Sequence, residues 1–437
     1  MSEWSSKPLE RYSLPEANSF VDGPFGSDLK VSDYTDSGIR ILQLQNLGDG
    51  FFIDTNVKYT SESKAISLGR CIVKPGDLII AKMAEPLARA CIVPPHIDLA
   101  IIVADLIKLR PAEDVDPDFL CAAINFAKFR REAERLSTGT TRTRISLSTL
   151  KRIGLLAPKE AEQKKLGEII RTFDQAIEQT EALIAKSQQV KAGLMHDLFT
   201  RGVTKDGKLR PLREEAPHLY KESPLGWIPK AWEVDSIGNQ FSIQLGKMLN
   251  KLAKTGRLSA PYVGNRAVQW DKVDLAGLEE MDFTPSEREK FRLHPGDLLV
   301  CEGGEVGRTA MWRGEIDECY YQKALHRLRP LTSRISNEYM LRFMRFACDS
   351  GMFRFFTSQS SIAHLTQEKL SAVNVILPRM GEQEQIATLF ETVDEDIERE
   401  QTALLKQLQI KQGLMHDLLT GRVRVPTAST TPSSAHV

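Results

Sequence analysis

No apolar run in this 437-residue chain approaches the roughly 18–20 residues needed to cross a bilayer. The opening Met1-Ser2-Glu3-Trp4 also lacks the basic-then-apolar layout of a secretory signal. The chain is therefore expected in the cytoplasm. Its six cysteines, at 71, 91, 121, 301, 319 and 348, include no C-x-x-C pair, and no histidine stands near two of them at zinc spacing. They read as reduced, mostly buried small hydrophobes, which leaves out a disulfide scaffold and a zinc site.

Catalytic signatures are missing too. There is no G-x-x-x-x-G-K-[ST], which excludes a P-loop ATPase. Val93-Pro94-Pro95-His96 has the paired prolines of an amino-methyltransferase motif without its leading amide or acid or its aromatic. Pro75-Gly76-Asp77 with Lys82 has part of a nuclease metal pattern, but Ile80 stands where a second carboxylate is needed and the second copy has Glu302 in place of the lysine. Gly303-Gly304-Glu305-Val306-Gly307 follows no dinucleotide-binding pattern and reads as a tight loop. His196-Asp197 and His416-Asp417 fall near helix C-termini, where a histidine suits the dipole, so they read as structural.

An excess of one charge is also lacking: 58 Lys and Arg balance 58 Asp and Glu. The distribution is uneven, however. Residues 130–152 hold seven basic and two acidic side chains, residues 245–272 six and one, and residues 378–402 two and eight. Two basic patches and one acidic stretch are therefore separate surfaces, and basic patches are what phosphate backbones select.

What the chain does contain is itself twice. Gly193-Leu194-Met195-His196-Asp197-Leu198 recurs as Gly413-Leu414-Met415-His416-Asp417-Leu418, and Pro75-Gly76-Asp77-Leu78 as Pro295-Gly296-Asp297-Leu298, both at an offset of 220. Residues 161–203 align with 381–423 without a gap and share 17 of 43 identities, whereas 20–60 and 240–280 hardly match. Each half thus joins a shared scaffold to a private surface.

Within each half, apolar residues at 166, 170, 173, 177, 184, 194 and 198 form a heptad-like stripe over 162–199, repeated from Ile386 to Leu418. Pro158 and Pro378 precede these helices, and Gly202 and Gly421 suit their ends. A repeated seam predicts an antiparallel coiled-coil pair, each helix about 55–60 Å long at 1.5 Å per residue. Ile39–Leu44, Asp77–Ile80, Ala100–Val103, Leu106–Leu109 and Asp297–Val300 read as strands, and 117–136 and 337–348 as helices. The expected fold is α+β, with two mixed α/β domains separated by two long helices in a pseudo-two-fold tandem duplication. Expected bounds are 1–157 and 225–377 for the globular domains, 158–202 and 378–423 for the helices, 203–224 for a linker, and 424–437 for a disordered Ser/Thr/Pro-rich tail.

This layout resembles the specificity subunits of type I restriction–modification systems. The residues that carry the resemblance are Leu225-Gly226-Trp227-Ile228-Pro229 with Trp232-Glu233, the Pro-Gly-Asp-Leu pair, the closing segments Ser137–Ser146 and Ser358–Leu365, and Glu162-Gln163 with Gly193–Leu198. The second closing segment departs from the first in lacking the Thr-Arg-Thr-Arg stretch, which bears on its DNA-contacting role. The resemblance implies a non-catalytic chain whose two target-recognition domains each read one half of a split double-stranded DNA target. It further implies that the helices set the spacer and dock two methyltransferase subunits, which restriction subunits join. S-adenosylmethionine, ATP and Mg would then belong to those partners, with no cofactor or metal here. The other reading is a coiled-coil scaffold that binds only protein.

The candidate DNA contacts follow from chemistry. Arg130, Arg131, Arg135, Arg142 and Arg144 are interleaved with threonines, Thr140 among them; arginine forks match phosphates and guanine edges. Lys247, Lys251, Lys254, Arg257 and Arg266 accompany Tyr262, Asn265 and Gln269 in the second half, as Gln43, Gln45 and Asn46 stand in the first, with amides suited to adenine edges. Candidate partner-docking residues on the helices are Phe173, Ile177, Leu194, Val393, Ile397 and Leu414. Reversing Asp394, Asp396 and Glu398 is expected to weaken one methyltransferase contact.

Overall fold

A computed structural model of the chain describes residues 4–83, 85–139, 143–249, 256–353 and 364–426. It divides into two compact units, one made of 1–182 with 402–437 and the other of 183–401. Each long helix, Glu160–Thr200 and Met380–Leu419, contributes one half to each unit.

In the first unit a four-stranded antiparallel sheet runs in the order Phe20–Asp22, Leu106–Leu109, Leu78–Ala81, Ala90–Ile92. Leu78-Ile79-Ile80-Ala81 is apolar without alternation because both of its faces are buried. Leu78 and Ile80 face a core built with Phe119, Leu120 and Ile124, while Ile79 and Ala81 face a second core with Val73, Ile97 and Ile102. Burying each such side chain contributes about 1.5–3 kcal/mol. Behind the second core lies a five-stranded sheet in which Ile39–Leu42 and Ala100–Ile102 pair in parallel.

The second unit repeats the four-stranded sheet as Phe241–Leu245, Leu325–Pro330, Leu298–Cys301, Thr309–Met311. Its central strand divides in the same way, Leu298 and Val300 to one core, Leu299 and Cys301 to another. The second sheet here has three strands, with Ser259–Val263 parallel to Tyr320–Tyr321.

The repeated Pro-Gly-Asp turn now has a structural explanation. Gly76 and Gly296 adopt φ of +85° and +92°, a region L-residues avoid. The Asp77 carboxylate accepts the Lys74 amide at 2.9 Å and takes both ends of the Arg110 fork at 2.8 and 2.9 Å. Asp297 does the same with His294 and Arg329. The aspartates are consumed by turn and sheet.

The long helices pair antiparallel within each unit. In the first, Leu166 shares a core with Leu418 and Leu419, and Asp174 meets Lys411. In the second, Ile386 and Phe390 share a core with Met195 and Phe199, and Asp394 meets Lys191. Each ion pair is the 220-residue image of the other, as a tandem duplication of one pairing scheme requires. Gly202 and Gly421 take φ of +64° and +69°, ending both helices.

One expected helix is two. Over 117–136 the structure has Pro117–Asn125 and Ala127–Arg135, with Phe126 between them in extended geometry (φ −67°, ψ 138°). Asn125 sets the break: its amide accepts from Ala90 N at 2.9 Å and donates to Ala90 O at 2.8 Å, satisfying the edge strand. The stretch 203–224, expected as a linker, carries Tyr220–Ser223, which pairs with Gly226–Pro229. The expected tail lies outside the described residues beyond 426. Among the described residues no helix is long and apolar enough to cross a membrane. All six cysteines are free, five of them buried, and burial pushes the Cys91 and Cys319 thiols up to about 12.

Candidate nucleic-acid interface

The domains are anchored to the helices by matching knots. Trp4 Nε1 donates to Glu162 at 3.1 Å, Arg424 Nε donates to the same carboxylate at 2.7 Å, and the guanidinium lies 5.2 Å over the Trp4 ring. In the second unit Trp232 Nε1 donates to Glu382 at 3.1 Å, Arg210 Nη2 at 2.9 Å, and Arg210 lies 5.7 Å over Trp232. Despite the desolvation that opposes it, the Glu162 carboxyl is held below its ordinary range by Arg424, Trp4 and the Lys159 amide. The neighbouring glutamines clamp each entry, Gln163 donating to Pro158 O and Gln383 to Pro378 O. Sequence reasoning marked Glu162 and Glu382 as repeated, but missed both arginines, because each follows the end of the other long helix.

The candidate base- and phosphate-contacting residues fall into two groups. Several are committed inside the fold. Asn46 is 1% exposed and donates to Ile53 O and Thr55 O. Lys247 binds Asp282 O and Glu287, each at 2.6 Å, and Tyr262 donates to Glu279 at 2.6 Å from a buried position. Arg130 pairs with Asp49 and Asn125, and Asn265 Nδ2 with Gly303 O; Arg135, by contrast, is exposed and pairs with Glu132 on the surface of its own helix. Gln43 donates to the Tyr34 hydroxyl, and Gln269 to Arg266 O. For Asn46, Lys247 and Tyr262 these bonds stand where a DNA contact was expected, since their polar atoms hold loops and strands.

Others remain on the surface. Gln45, Arg131, Arg144, Arg257 and Arg266 are exposed. Arg144 leans toward Met83 and Asp105 at the sheet rim. Thr140, Arg142, Lys251 and Lys254 lie outside the described residues. One cluster not foreseen is Arg40, Asp54 and His96, with His96 Nε2 2.9 Å from Asp54; the Arg40 hydrogen bond holds the Asp54 carboxyl down.

The six candidate docking residues lie in or beside the intramolecular seam. Ile177 and Ile397 are buried, Leu194 and Leu414 pack against the cores, and Phe173 and Val393 are half-buried. Asp394 binds Lys191 and Arg342 of its own unit and Asp396 binds Arg399, so the expected charge reversal would disturb this fold before any partner.

Comparison with known proteins decides the family. Residues 53–187 and 229–408 match the type I restriction modification DNA specificity domain. The chain belongs to this family. It is 21% identical over 401 residues to the MjaX type I restriction enzyme specificity subunit of Methanocaldococcus jannaschii, covering 89% of this chain and 88% of that one. To the MjaVIII specificity subunit of the same organism it is 24% identical over 340 residues, covering 74% and 75%. The S subunit of M. genitalium shares the fold at 14% identity and a TM-score of 0.55, over 95% of this chain and 96% of that one. A chain from a structure of type I R-M complex assembly shares it at 15% and 0.57, over 96% and 98%. This specificity subunit thus has two target-recognition domains, one in each half of its duplication.

Proposed function

We propose that each target-recognition domain reads one half of a split duplex target, and that the paired helices set the distance between the halves while presenting one docking face twice. The chain carries no chemistry of its own in this reading; methylation and cleavage belong to modification and restriction subunits. Exposed arginines supply phosphate contacts and affinity, and amide and guanidinium edges supply discrimination.

The observation that carries the double docking is the pattern of repeat identities. Glu162, Gln163, Ile177 and Leu198 match their counterparts for reasons of packing. Lys186, Gln189, Gly193 and His196 recur as Lys406, Gln409, Gly413 and His416, yet all eight are exposed. Spaced by three and four, they share one helix face. A Cβ on Gly193 or Gly413 would meet nothing within 4 Å. A mid-helix glycine costs roughly 0.5–1 kcal/mol relative to alanine, so its double occurrence with no internal need supports close approach by an outside backbone, once per unit. Two copies of one modification subunit fit that surface.

The test is co-expression with a modification subunit of the same system, followed by mapping of methylated bases. A split motif with an unspecified gap is expected, and replacing residues 1–157 with another subunit's domain should change one half only. Change in both halves, or a stable complex with no sequence-selective methylation, would refute the modular reading.

A further inference from the structure

The helices Pro117–Asn125 and Asn337–Asp349 start in one register. Asp116 and Ser336 cap them, accepting the Phe119 and Tyr339 amides at 2.9 and 3.1 Å. The 220-residue offset therefore sets Arg342 against Ala122, Phe390 against Ile170 and Asp394 against Asp174. In the second unit both arginines of the helix are engaged within the chain. Buried Arg342 lies 2.9 Å from Asp271 and from Asp394, with Lys191 beside them, and Arg345 lies 2.9 Å from Asp349. In the first unit Ala122 carries no charge and the helix breaks at Phe126. There an open cleft of about 1080 Å³ lies where the broken pair, Pro117–Asn125 and Ala127–Arg135, meets the C-terminal long helix. Its charges do not balance. Each lining carboxylate already has a cation of this chain: Asp49 has both ends of the Arg130 fork, Asp118 has Arg171, Asp174 has Lys411 and Asp417 has Arg422. Lys128 and Arg131 also line the cleft; both are exposed, and neither has an ion-pair partner among the described residues. They stand three residues apart on Ala127–Arg135, so they share one helix face. His416 of the long helix borders the same space, its ring 6.1 Å from that of Phe126.

We propose that this cleft takes an acidic segment of the modification subunit, with carboxylates on Lys128 and Arg131 and apolar side chains on Ala122, Ile170 and Met415; this step rests on the specificity-subunit reading above. Charge complementarity chooses the chemistry. A basic segment would meet two unpaired cations and find every carboxylate taken, whereas an acidic one completes the two ion pairs that the chain leaves open. Continuity chooses the partner. Gln409, Gly413 and His416 line the cleft and belong to the repeated exposed face that docks the modification subunit in that reading. A Cβ on Gly413 would meet nothing within 4 Å, so a partner backbone has room beside it. An apolar centre with charge at its rim is the anatomy of a protein interface. A DNA duplex would present chiefly phosphates and leave the apolar lining uncovered. Arg131, a candidate phosphate contact by its sequence, is thereby assigned to the protein partner. At the same offset Lys128 and Arg131 become Cys348 and Gly351, and Arg342 and Arg345 are already paired. Identical partner copies therefore bind the two halves unequally, the first more tightly.

The experiment titrates the full chain with its modification subunit, without DNA, and resolves the one- and two-copy complexes by native mass spectrometry. Two unequal affinities are expected, the tighter one falling as ammonium acetate rises. Lys128→Glu combined with Arg131→Glu should weaken the tighter step at least about tenfold and leave the weaker step unchanged. Lys128→Gln alone, which adds no like charge, should weaken it in the same direction and by less. Both side chains are exposed and unpaired, so the free chain should keep its melting profile; if the double variant melts earlier, Lys128→Gln alone decides. A photo-cross-linker at exposed Gln412 should capture an acidic peptide of the modification subunit. Unchanged affinities in these variants would overturn the inference, even if the assembled complex lost affinity for duplex DNA. So would a cross-link to DNA, to a second copy of this chain or to residues 427–437 of the chain itself. Split-site methylation by the unmutated complex leaves the specificity reading standing in each of those cases. Its absence would instead remove that reading, and this inference with it.

Discussion

The two target-recognition domains share a frame down to single hydrogen bonds and part company beside it. Both have the same four-stranded sheet order, an aspartate–arginine fork behind the Pro-Gly turn, and a Trp–Glu–Arg knot onto a long helix. Even the buried cations correspond. Lys108 Nζ donates to Arg70 O and Ile72 O, and Arg327 Nη1 to Lys290 O and Arg292 O, the same carbonyls 220 residues on. Next to this frame, five strands in one domain stand where three stand in the other, and an open cleft where a buried ion cluster lies. What the two copies share holds the domain to the helices; what differs is free to meet different ligands. A duplicated protein that reads two targets and docks one partner twice requires this division.

The comparison breaks hardest at Arg342. Arg342→Ala leaves the partly buried Asp271 and Asp394 carboxylates to Lys191 alone and empties the space the guanidinium fills. We expect a loss of about 3 kcal/mol, read by urea unfolding of the full chain. If the loss is small, the sealed cluster is not what fixes the second domain.

A pH scan comes next. His326 is fully buried, its Nε2 2.7 Å from Leu365 O, and burial holds its imidazole pKa below the ordinary histidine range. Its counterpart by strand pairing is Ile107, which faces Ile80 as His326 faces Val300. Because the folded histidine binds its proton more weakly than the unfolded one, the unfolded chain is protonated first as pH falls. The stabilisation by neutral His326 is thus intact above about pH 6.5 and lost below it, ending as pH drops through the lowered folded value. Differential scanning calorimetry should show the second domain's melting fall in weak acid, and His326→Phe should remove that dependence. Equal sensitivity in both domains would assign it elsewhere.

The smallest effect sharpens the docking symmetry. Gly193→Ala and Gly413→Ala should each raise the stability of the free chain by roughly 0.5–1 kcal/mol while weakening assembly with the modification subunit. Opposite signs for stability and binding separate a docking glycine from a structural one. Stabilisation with unchanged assembly would show that no backbone approaches there.

The sequence alone determined the duplication, the long helices, the central strands and the family resemblance. Each of these is written in local periodicity or in identities at a constant offset, and such signals survive without knowledge of contacts. It also marked Asp77, Asp297, Glu162 and Glu382 as repeated positions. Tertiary structure decided what those residues do, because their arginine partners are far away in sequence, 262 residues in the case of Glu162 and Arg424. It also decided which polar residues of the basic clusters face water. Asn46 and Gln45 are adjacent amides of similar chemistry, yet one is spent on Ile53 and Thr55 and the other is exposed. Composition cannot distinguish them, since burial and hydrogen-bond saturation depend on what the rest of the chain brings against each atom. The open cleft is the sharpest case. It exists because Ala122 stands where Arg342 stands in the other half, and only the folded pair of helices makes that difference a cavity.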